Sequence, residues 1–494
     1  MVDQKSEVTV ESAEAVLLRQ QQSHKVMSYH FVGIGGWGMS GLAQVLHQRG
    51  HRVSGSDLQS SDVVEKLGRR GISVDIGHCA DRIGPDVDCM VVSAAIRPDN
   101  PEWVRARQLD IEVCKYAQML GRLSRGMKTL AVAGTHGKST TSGWLAYLLH
   151  ESGLEPSFVV GADVEQLGGG SGAGKGELMV VEACEYDRSF LNLRSHVAAI
   201  LNIEADHLDY YRDMDEIVGA FGEFAALTSD DGLLVANADN ANVARALASR
   251  KGRCEYFSLT GSGDWQAGNL SLKNGRGCFD LMYRNRKLGR VKLMLAGRHN
   301  VANALAVAAM AQSVGATSEQ ICRGLENFVG VGRRMSYKGK VEGVVIMDDY
   351  AHHPTEIQVT LEAIAAQYQP RRLWCVFQPH QHSRTRFFLD EFASSFRNAD
   401  IILLPDIYFV RESEQLRREV NARQLVDKIN QNGGQARYLG DFERILNELC
   451  REVRTGDLVV TMGAGDIWKV ADELVCRLGR NSQIQCADDG VHLV

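Results

Sequence analysis

Ala133-Gly134-Thr135-His136-Gly137-Lys138-Ser139 follows the apolar run Leu130–Val132 and precedes a stretch with Trp144, Leu145, Leu148 and Leu149 on one helical face. Strand, glycine loop, Lys-Ser, helix is the layout of a nucleoside-triphosphate phosphate site. Gly134 and Gly137 let backbone N–H groups of Thr135, His136 and Thr140 come close to phosphate oxygens, and the helix N-terminus adds partial positive charge. Lys138 has the reach for the β- and γ-phosphates, and the Ser139 hydroxyl suits Mg²⁺. The stretch therefore points to ATP or a relative. A literal Gly-x4-Gly-Lys-Ser would need glycine where Val132 stands. Gly169 to Lys175 has the glycine and lysine spacing. However, Gly176 replaces the Ser/Thr and a strand-like run, Leu178–Val181, follows where a helix is needed. Residues Gly168–Gly176 read instead as a flexible surface loop.

Outward from this loop, strand-like and helix-like patterns alternate to about Arg480. Apolar runs fall at Tyr29–Val32, Cys89–Val92, Leu130–Ala133, Leu178–Val181, Val197–Leu201, Val344–Met347, Leu373–Phe377, Ile401–Leu404 and Leu458–Thr461. This predicts an α/β protein with mainly parallel sheets. A small antiparallel patch is expected in the Gly-rich residues 253–295. At 494 residues the chain exceeds one core, and breaks near Ser124–Met127 and Gly330–Ser336 divide it. The expected organisation is a tail at 1–26, with a marginal helix at Ala13–Gln21, then α/β domains at 27–126, 127–332 and 333–480, and a tail at 481–494. A net charge of −6 gives no support for nucleic-acid binding. No apolar run approaches the roughly 20 residues that span a bilayer. The polar N-terminus lacks a signal-peptide core, so a cytoplasmic protein is expected. Eleven scattered cysteines without Cys-x-x-Cys suit reduced thiols and speak against zinc or a disulfide framework.

Chemistry-bearing residues collect at strand ends. Gly33-Ile34-Gly35-Gly36-Trp37-Gly38 is Gly-x-Gly-x-x-Gly after a strand and before a helix, with Asp57 further on. The motif reports a diphosphate at a helix N-terminus, and either NAD or a nucleotide-sugar diphosphate satisfies it. Glu182 ends one strand and suits Mg²⁺, which takes one or two protein oxygens. His207 follows another strand and by itself reads as an ordinary polar residue. Glu185, Asp187, Glu204, Asp206 and Asp209 read as solvated or structural. In the third domain, three polar strand ends suggest a ligand face: Asp348 to Pro354, Gln378 to Arg386 and Met462 to Asp466. Arg384 or Arg386 is suited there to a carboxylate. Arg333-Arg334 reads either as a surface patch or as a phosphate clamp.

Eight motifs occur in order: Gly-Thr-His-Gly-Lys-Ser-Thr, Glu-Ala-x-Glu, Asn-Ile-Glu-Ala-Asp-His-Leu-Asp, Gly-Arg-His-Asn-x-x-Asn-Ala, Gly-Val-Gly-Arg-Arg, Asp-Asp-Tyr-Ala-His-His-Pro-Thr-Glu, Phe-Gln-Pro-His and Met-Gly-Ala-Gly-Asp-Ile. Together they resemble the Mur ligases of peptidoglycan synthesis over about residues 27–478, and most closely the alanine-adding branch. The resemblance implies three domains: Rossmann-like at the N-terminus, P-loop ATPase-like in the centre and Rossmann-like at the C-terminus. It implies ATP and Mg²⁺ as cofactors, UDP-N-acetylmuramate and L-alanine as substrates, an acyl-phosphate intermediate, and a monomer or weak homodimer. It assigns Gly33, Gly35, Gly36, Gly38, Asp57 and Ser93 to the UDP-sugar, and Lys138 and Ser139 to phosphate and metal. Glu182 and His207 resemble the family's metal ligands. Asn300 and Asn303 resemble its adenine contacts, and Arg334 a nucleotide-phosphate contact. Tyr350, His352, His380 and Arg384 resemble the pocket for the amino acid and acyl phosphate. Cys184 stands where the family usually has aspartate, and Gln381 where arginine is common. Sister ligases carry a carbamylated lysine after the Asp-His motif. Asp209 to Gly232 contains none, so no carbamate is expected. The rival readings are the recycling branch that adds a whole tripeptide and, in another class, an NAD-dependent oxidoreductase. Gly-Val-Gly-Arg-Arg weighs against the first, and the second phosphate loop with Glu182 against the other.

Overall fold

A computed structural model describes residues 26–488 except 262, 411 and 413. The expected N-terminal tail, Val26 apart, lies outside the described residues with its marginal helix. The chain forms two compact units, Met1–Tyr116 and Ala117–Val494.

The first unit is a five-stranded sheet of β1 (Ser28–Val32), β2 (Arg52–Asp57), β3 (Ser73–Ile76), β4 (Cys89–Val92) and β5 (Glu112–Lys115). Its order is β3-β2-β1-β4-β5 and every pairing is parallel. Phe31, Val32, Met90 and Val91 are fully buried, as expected of strands covered on both faces. The order reverses between β1 and β4, and ligands bind at that switch point in such sheets. The Gly33–Gly38 loop follows β1 there, and Ser93 follows β4.

The second unit contains two sheets. The first runs β15-β14-β13-β12-β11-β10-β6-β9-β7-β8. Its strands are β6 (Lys128–Ala133), β7 (Ser157–Val159), β8 (Ser171–Gly172), β9 (Leu178–Glu182), β10 (Ser195–Ile200), β11 (Thr228–Asn237), β12 (Cys254–Ser258), β13 (Trp265–Lys273), β14 (Arg276–Tyr283) and β15 (Arg286–Ala296). β6 pairs in parallel with β9 and β10, which places Glu182 and the segment leading to His207 on either side of the phosphate loop. The expected antiparallel patch is real, but β13–β15 extend the main sheet. The second sheet is β16-β17-β21-β18-β19-β20. It comprises β16 (Ser336–Val341), β17 (Val344–Asp349), β18 (Leu373–Phe377), β19 (Ile401–Pro405), β20 (Ala436–Gly440) and β21 (Leu458–Met462). Only β16 runs antiparallel. The three polar strand ends follow the adjacent β17, β21 and β18.

The structure departs from the sequence reading in four places. The Lys138–Glu151 helix is buried from Thr141 to Leu149, not on one face alone, because it lies between the sheet and the Arg298–Ser313 and Ser318–Asn327 helices. The break near residue 125 moves to Tyr116. Past Tyr116 the Tyr116–Arg125 helix goes with the second unit: a Cβ on Gly121 would lie 2.4 Å from the Asn192 carbonyl, and Ser124 Oγ accepts from Arg194 N. Gly168–Gly176 is not a loose loop. β8 pairs with β7, and Cβ atoms on Gly174 and Gly176 would lie 2.0 and 2.2 Å from backbone carbonyls. The last helix, Trp468–Asp488, continues past the expected end at Arg480.

Candidate active site

The phosphate loop is strapped to the end of β10. Thr135 N donates to Asn202 O at 3.1 Å, and His136 N to Asn202 Oδ1 at 2.8 Å. Asn202 Nδ2 returns a bond to His136 O at 3.0 Å. Gly134 has φ 148° and a Cβ there would lie 3.0 Å from Leu201; Gly137 has φ 83° and faces Asn303. The Thr135 and His136 N–H groups are thus spent on Asn202. The N–H groups of Lys138, Ser139 and Thr140, in the first turn of the helix, have no intrahelical acceptors. Lys138 Nζ donates to Gly134 O at 2.6 Å, Thr135 O at 3.0 Å and Glu185 Oε1 at 2.9 Å. Burial opposes its charge, but the neighbouring acidic groups, Glu185 foremost, together raise the ammonium's pKa.

Around the loop lie the expected metal residues. Glu182 Oε2 accepts from Gly161 N at 2.7 Å. His207 has φ 53°, and its Nε2 lies 3.8 Å from Glu185 Oε1 and 3.9 Å from Asp206 Oδ2. Ser139 is buried in the first turn of its helix. The Glu182 carboxylate, with one oxygen spent on a backbone N–H, and the Ser139 hydroxyl are oxygen donors of the type a hard divalent cation takes; the His207 imidazole faces carboxylates. Of the two readings of Glu185, solvated or structural, the structure fits the second: it is buried and is the counter-charge of Lys138. Cys184, beside it, is exposed and adds no charge at neutral pH.

A cavity of about 210 Å³ opens beside the loop, lined by His136, Gly137, Thr140, Asn300, Asn303 and Arg334 among others. Asn300 Nδ2 donates to Ala296 O at 2.7 Å, and Asn303 Nδ2 to Asn300 Oδ1 at 3.3 Å. Arg334 Nη1 lies 3.4 Å from Glu356 Oε1 and its guanidinium stacks over Tyr350. It is half-buried and faces the cavity. Arg333 is different: it donates to Asp348 and to the Gly463 and Gly465 carbonyls, pinning the junction to the C-terminal sheet. Asp349, Glu356, Glu204 and His299 also line the cavity and were not assigned roles from sequence. Burial pushes Asp349 up to about 6 against the opposing pull of Arg334. Burial, then Arg334, pushes His299 down to about 4. His136 is the reverse case. Its burial is overcome by hydrogen bonds to Glu204 and Glu356, each at 3.3 Å, which push it up to about 9. The signal that would have found these carboxylates is the number of cations in buried positions, each of which needs a partner.

The residues expected to hold the amino acid are partly assembled. Tyr350, His352 and His380 form a row, with ring centroids 5.3 and 6.3 Å apart, and His380 stacks on Tyr408. Burial pushes His352 down to about 3. Arg384 meets this group through Asp206: Nη2 lies 2.5 Å from Asp206 Oδ1, and both side chains are buried. Asp206, His207, Gln381 and Arg384 line a second cavity of about 180 Å³. Gln381 sits there at φ 66°, ψ 136°, an uncommon conformation for a side chain with a Cβ.

In the first unit, Ser56 O accepts from Gly33 N and Ile34 N at 2.9 and 3.1 Å, and Asp57 Oδ2 accepts from Gly35 N at 2.8 Å. One oxygen of Asp57 therefore braces the loop. A Cβ on Gly33 would lie 2.8 Å from Ser93 Oγ, and one on Gly38 2.7 Å from Tyr116, so both positions need glycine, whereas Gly36 has room.

Three family descriptions match in order: "Mur ligase family, catalytic domain" over residues 28–128, "Mur ligase middle domain" over 132–311 and "Mur ligase, glutamate ligase domain" over 333–465. The chain belongs to the Mur ligase family. This Mur ligase is 40% identical over 452 residues to a UDP-N-acetylmuramate–L-alanine ligase of Acetivibrio thermocellus, covering 91% of this chain and 96% of the relative. It is 42% identical over 445 residues to the enzyme of that name from Clostridium novyi, covering 90% and 96%. Among solved structures it is similar to a Thermotoga maritima UDP-N-acetylmuramate-alanine ligase, with TM-score 0.77 and 27% identity, covering 92% of this Mur ligase and 100% of that chain. A Psychrobacter arcticus murein peptide ligase follows at TM-score 0.70 and 26%, covering 92% and 99%. The three-domain α/β architecture of this Mur ligase agrees with these likenesses.

Proposed function

We propose that this Mur ligase joins L-alanine to the lactyl carboxylate of UDP-N-acetylmuramate at the expense of ATP, in peptidoglycan precursor synthesis. One observation carries the reading: the adjacent strands β10, β6 and β9 lead to His207, the Lys138 loop and Glu182, and the phosphate loop, the asparagine pair and Arg334 line one cavity. That is a site for activating an acid with ATP, and the names of the relatives supply the acid and the amine.

A carboxylate is a poor acyl donor. Transfer of the γ-phosphoryl group makes it an acyl phosphate, which the alanine amine attacks to give a tetrahedral intermediate that expels phosphate. The protein's share is positioning and charge neutralisation. Asn300, Asn303, His299 and Asp349 line the place for adenosine. Lys138 and the first-turn N–H groups face the phosphates, and Arg334 neutralises charge from the C-terminal side. Ser139, Glu182 and His207 would hold Mg²⁺, which would supply positive charge to offset that of the phosphates. Tyr350, His352 and His380 receive the amino acid. Burial keeps His352 neutral and makes it a weak base, so its part is to contact the amino acid rather than to take its proton. Arg384 acts through Asp206, which holds one of its nitrogens. The Gly33–Gly38 loop, with Asp57 and Ser93, takes the UDP diphosphate. We place the enzyme in the cytoplasm as a monomer or weak homodimer.

The test is phosphate release with UDP-N-acetylmuramate, ATP, Mg²⁺ and L-alanine, each omitted in turn. Dependence on all four supports the reading. Release only when the L-alanyl tripeptide replaces alanine would overturn it in favour of the recycling reaction.

A further inference from the structure

Among the described residues, Glu102 is the most deeply buried carboxylate that the proposed chemistry does not use. Glu102, in the first turn of the Pro101–Gln108 helix, has 0% of its surface exposed. A lone buried carboxylate costs several kcal/mol unless it is hydrogen-bonded, so its partners show what it holds. Ser56 Oγ donates to Glu102 Oε2 at 2.6 Å, and Cys79 N to Oε1 at 3.1 Å. His78 Nδ1 lies 2.9 Å from Ser56 Oγ and 3.4 Å from Glu102 Oε2. His30 Nε2 lies 3.7 Å from Oε2, and its Nδ1 is 2.9 Å from Ser54 Oγ. One carboxylate thus ties together β1, the end of β2 and the segment after β3.

The tie matters because of what Ser56 does with its backbone. Its carbonyl takes both Gly33 N and Ile34 N, the first two N–H groups of the glycine loop. Gly33 sits at φ 78° against Ser93 Oγ, with no slack for a Cβ, so its position follows Ser56 closely. The next residue, Asp57, takes Gly35 N. With these three N–H groups anchored, the groups left to face a ligand are those at the N-terminus of the Trp37–Gln48 helix. Their direction is set by the anchors.

We infer that Glu102, through Ser56, is a positioning residue for the diphosphate loop: the buried Glu102–Ser56–His78 network fixes the loop's first turn and so sets affinity for the UDP end of the substrate. Glu102 lies beneath Ser56 and touches no reacting atom. The inference rests on the proposal that this loop binds a UDP-sugar.

The test uses the full-length chain with Ser56→Ala and Glu102→Gln. Ser56→Ala keeps the backbone carbonyl and removes only the hydroxyl link, so it stays informative if Glu102→Gln fails to fold. Calorimetric Kd values for UDP-N-acetylmuramate and UDP are measured beside steady-state constants. Losing a buried hydrogen bond to a charged acceptor corresponds to about a tenfold effect. The expected result is therefore a Kd and a KM for the UDP-sugar raised about tenfold, with kcat and the KM values for ATP and L-alanine unchanged. A folded Ser56→Ala variant that binds both ligands within twofold of wild type overturns the assignment. A uniform fall in kcat with unchanged UDP-sugar KM also overturns it, because that marks general structural damage. A wild-type chain that binds neither UDP ligand overturns the reading of the loop itself.

Discussion

His136 offers a prediction whose size and sign both follow from geometry. It sits in the phosphate loop between Glu204 of its own lobe and Glu356, in the first turn of the Pro354–Tyr368 helix. These bonds raise the imidazole from 6.5 to about 9 against the opposing effect of burial. A raised folded pKa means that the folded chain holds the proton more tightly than the unfolded one. The stabilisation is complete below about 6.5 and disappears as pH rises through about 9. The shift corresponds to about 3 kcal/mol at low pH. At about 2.1 cal/mol/K per residue, a unit of roughly 380 residues has an unfolding entropy near 0.8 kcal/mol/K. Three kcal/mol therefore moves its midpoint by about 4 °C. His136→Gln keeps the volume and hydrogen-bonding capacity and removes the charge. Thermal unfolding of both proteins from pH 6 to pH 10 should show the variant about 4 °C lower at pH 6 and equal to wild type near pH 10. A gap that is the same at both ends, or absent at pH 6, would refute the claim that an imidazolium between two carboxylates holds this junction.

Lys138→Ala should lower ATP-dependent phosphate release by about a hundredfold or more while leaving UDP-N-acetylmuramate binding intact; substantial turnover would remove Lys138 from the phosphate site. Glu182→Ala should raise the Mg²⁺ concentration for half-maximal activity on the order of tenfold or more, and weaken Mn²⁺ binding by paramagnetic resonance to match. Unchanged metal binding would rule the side chain out as a ligand. Asp206→Ala leaves the Arg384 guanidinium buried without its partner and should cost about 3–5 kcal/mol. The double change Asp206→Leu with Arg384→Met should recover most of that stability, though not activity, and a double variant as unstable as the single would mean the loss is one of packing. The arginine holds Asp206 in its charged form, well below the usual carboxylate range, so wild-type stability from this pair should persist at neutral pH and fall as acid protonates Asp206.

Strands were the most legible part of the fold because buried parallel strands are short apolar runs. Cys89–Val92 and Leu373–Phe377 match the structure residue for residue. Edge strands such as β3, β8 and β20 were not legible, since Ser73–Ile76 and Ala436–Gly440 carry polar residues and lack a run. The glycine loops could be read because a positive φ and close approach select for glycine. Their counter-charges could not. Nothing local distinguishes Glu185, buried against Lys138, and Glu204, half-buried against His136, from Asp187 or Asp209. The distinction arises from pairing across sequence separations of 47 and 68 residues. Gly161 was also invisible, because its role is to donate an N–H to Glu182 from a neighbouring strand end.

These pairings suggest how the site manages its own charge. Each cation of the phosphate loop is already neutralised from within: Lys138 by Glu185, His136 by Glu204 and Glu356, with Arg334 shared onto Glu356. A triphosphate entering here competes with these carboxylates for the same cations and brings additional negative charge. Affinity then depends on the difference between two electrostatic sums, and so on which carboxylates move aside. Glu185 is the one whose displacement serves chemistry. It lies 3.8 Å from His207 Nε2, so the same step that frees Lys138 for the γ-phosphate alters the carboxylate next to a proposed metal ligand. Phosphate binding and metal binding are thereby coupled through a single side chain. Glu185→Gln separates the two: it weakens the hold on Lys138, which favours ATP, and removes a negative charge beside the cation, which disfavours Mg²⁺. The expected outcome is a lower Kd for ATP measured without metal and a higher Mg²⁺ requirement in the full reaction. If both constants moved in the same direction, the coupling would not run through Glu185.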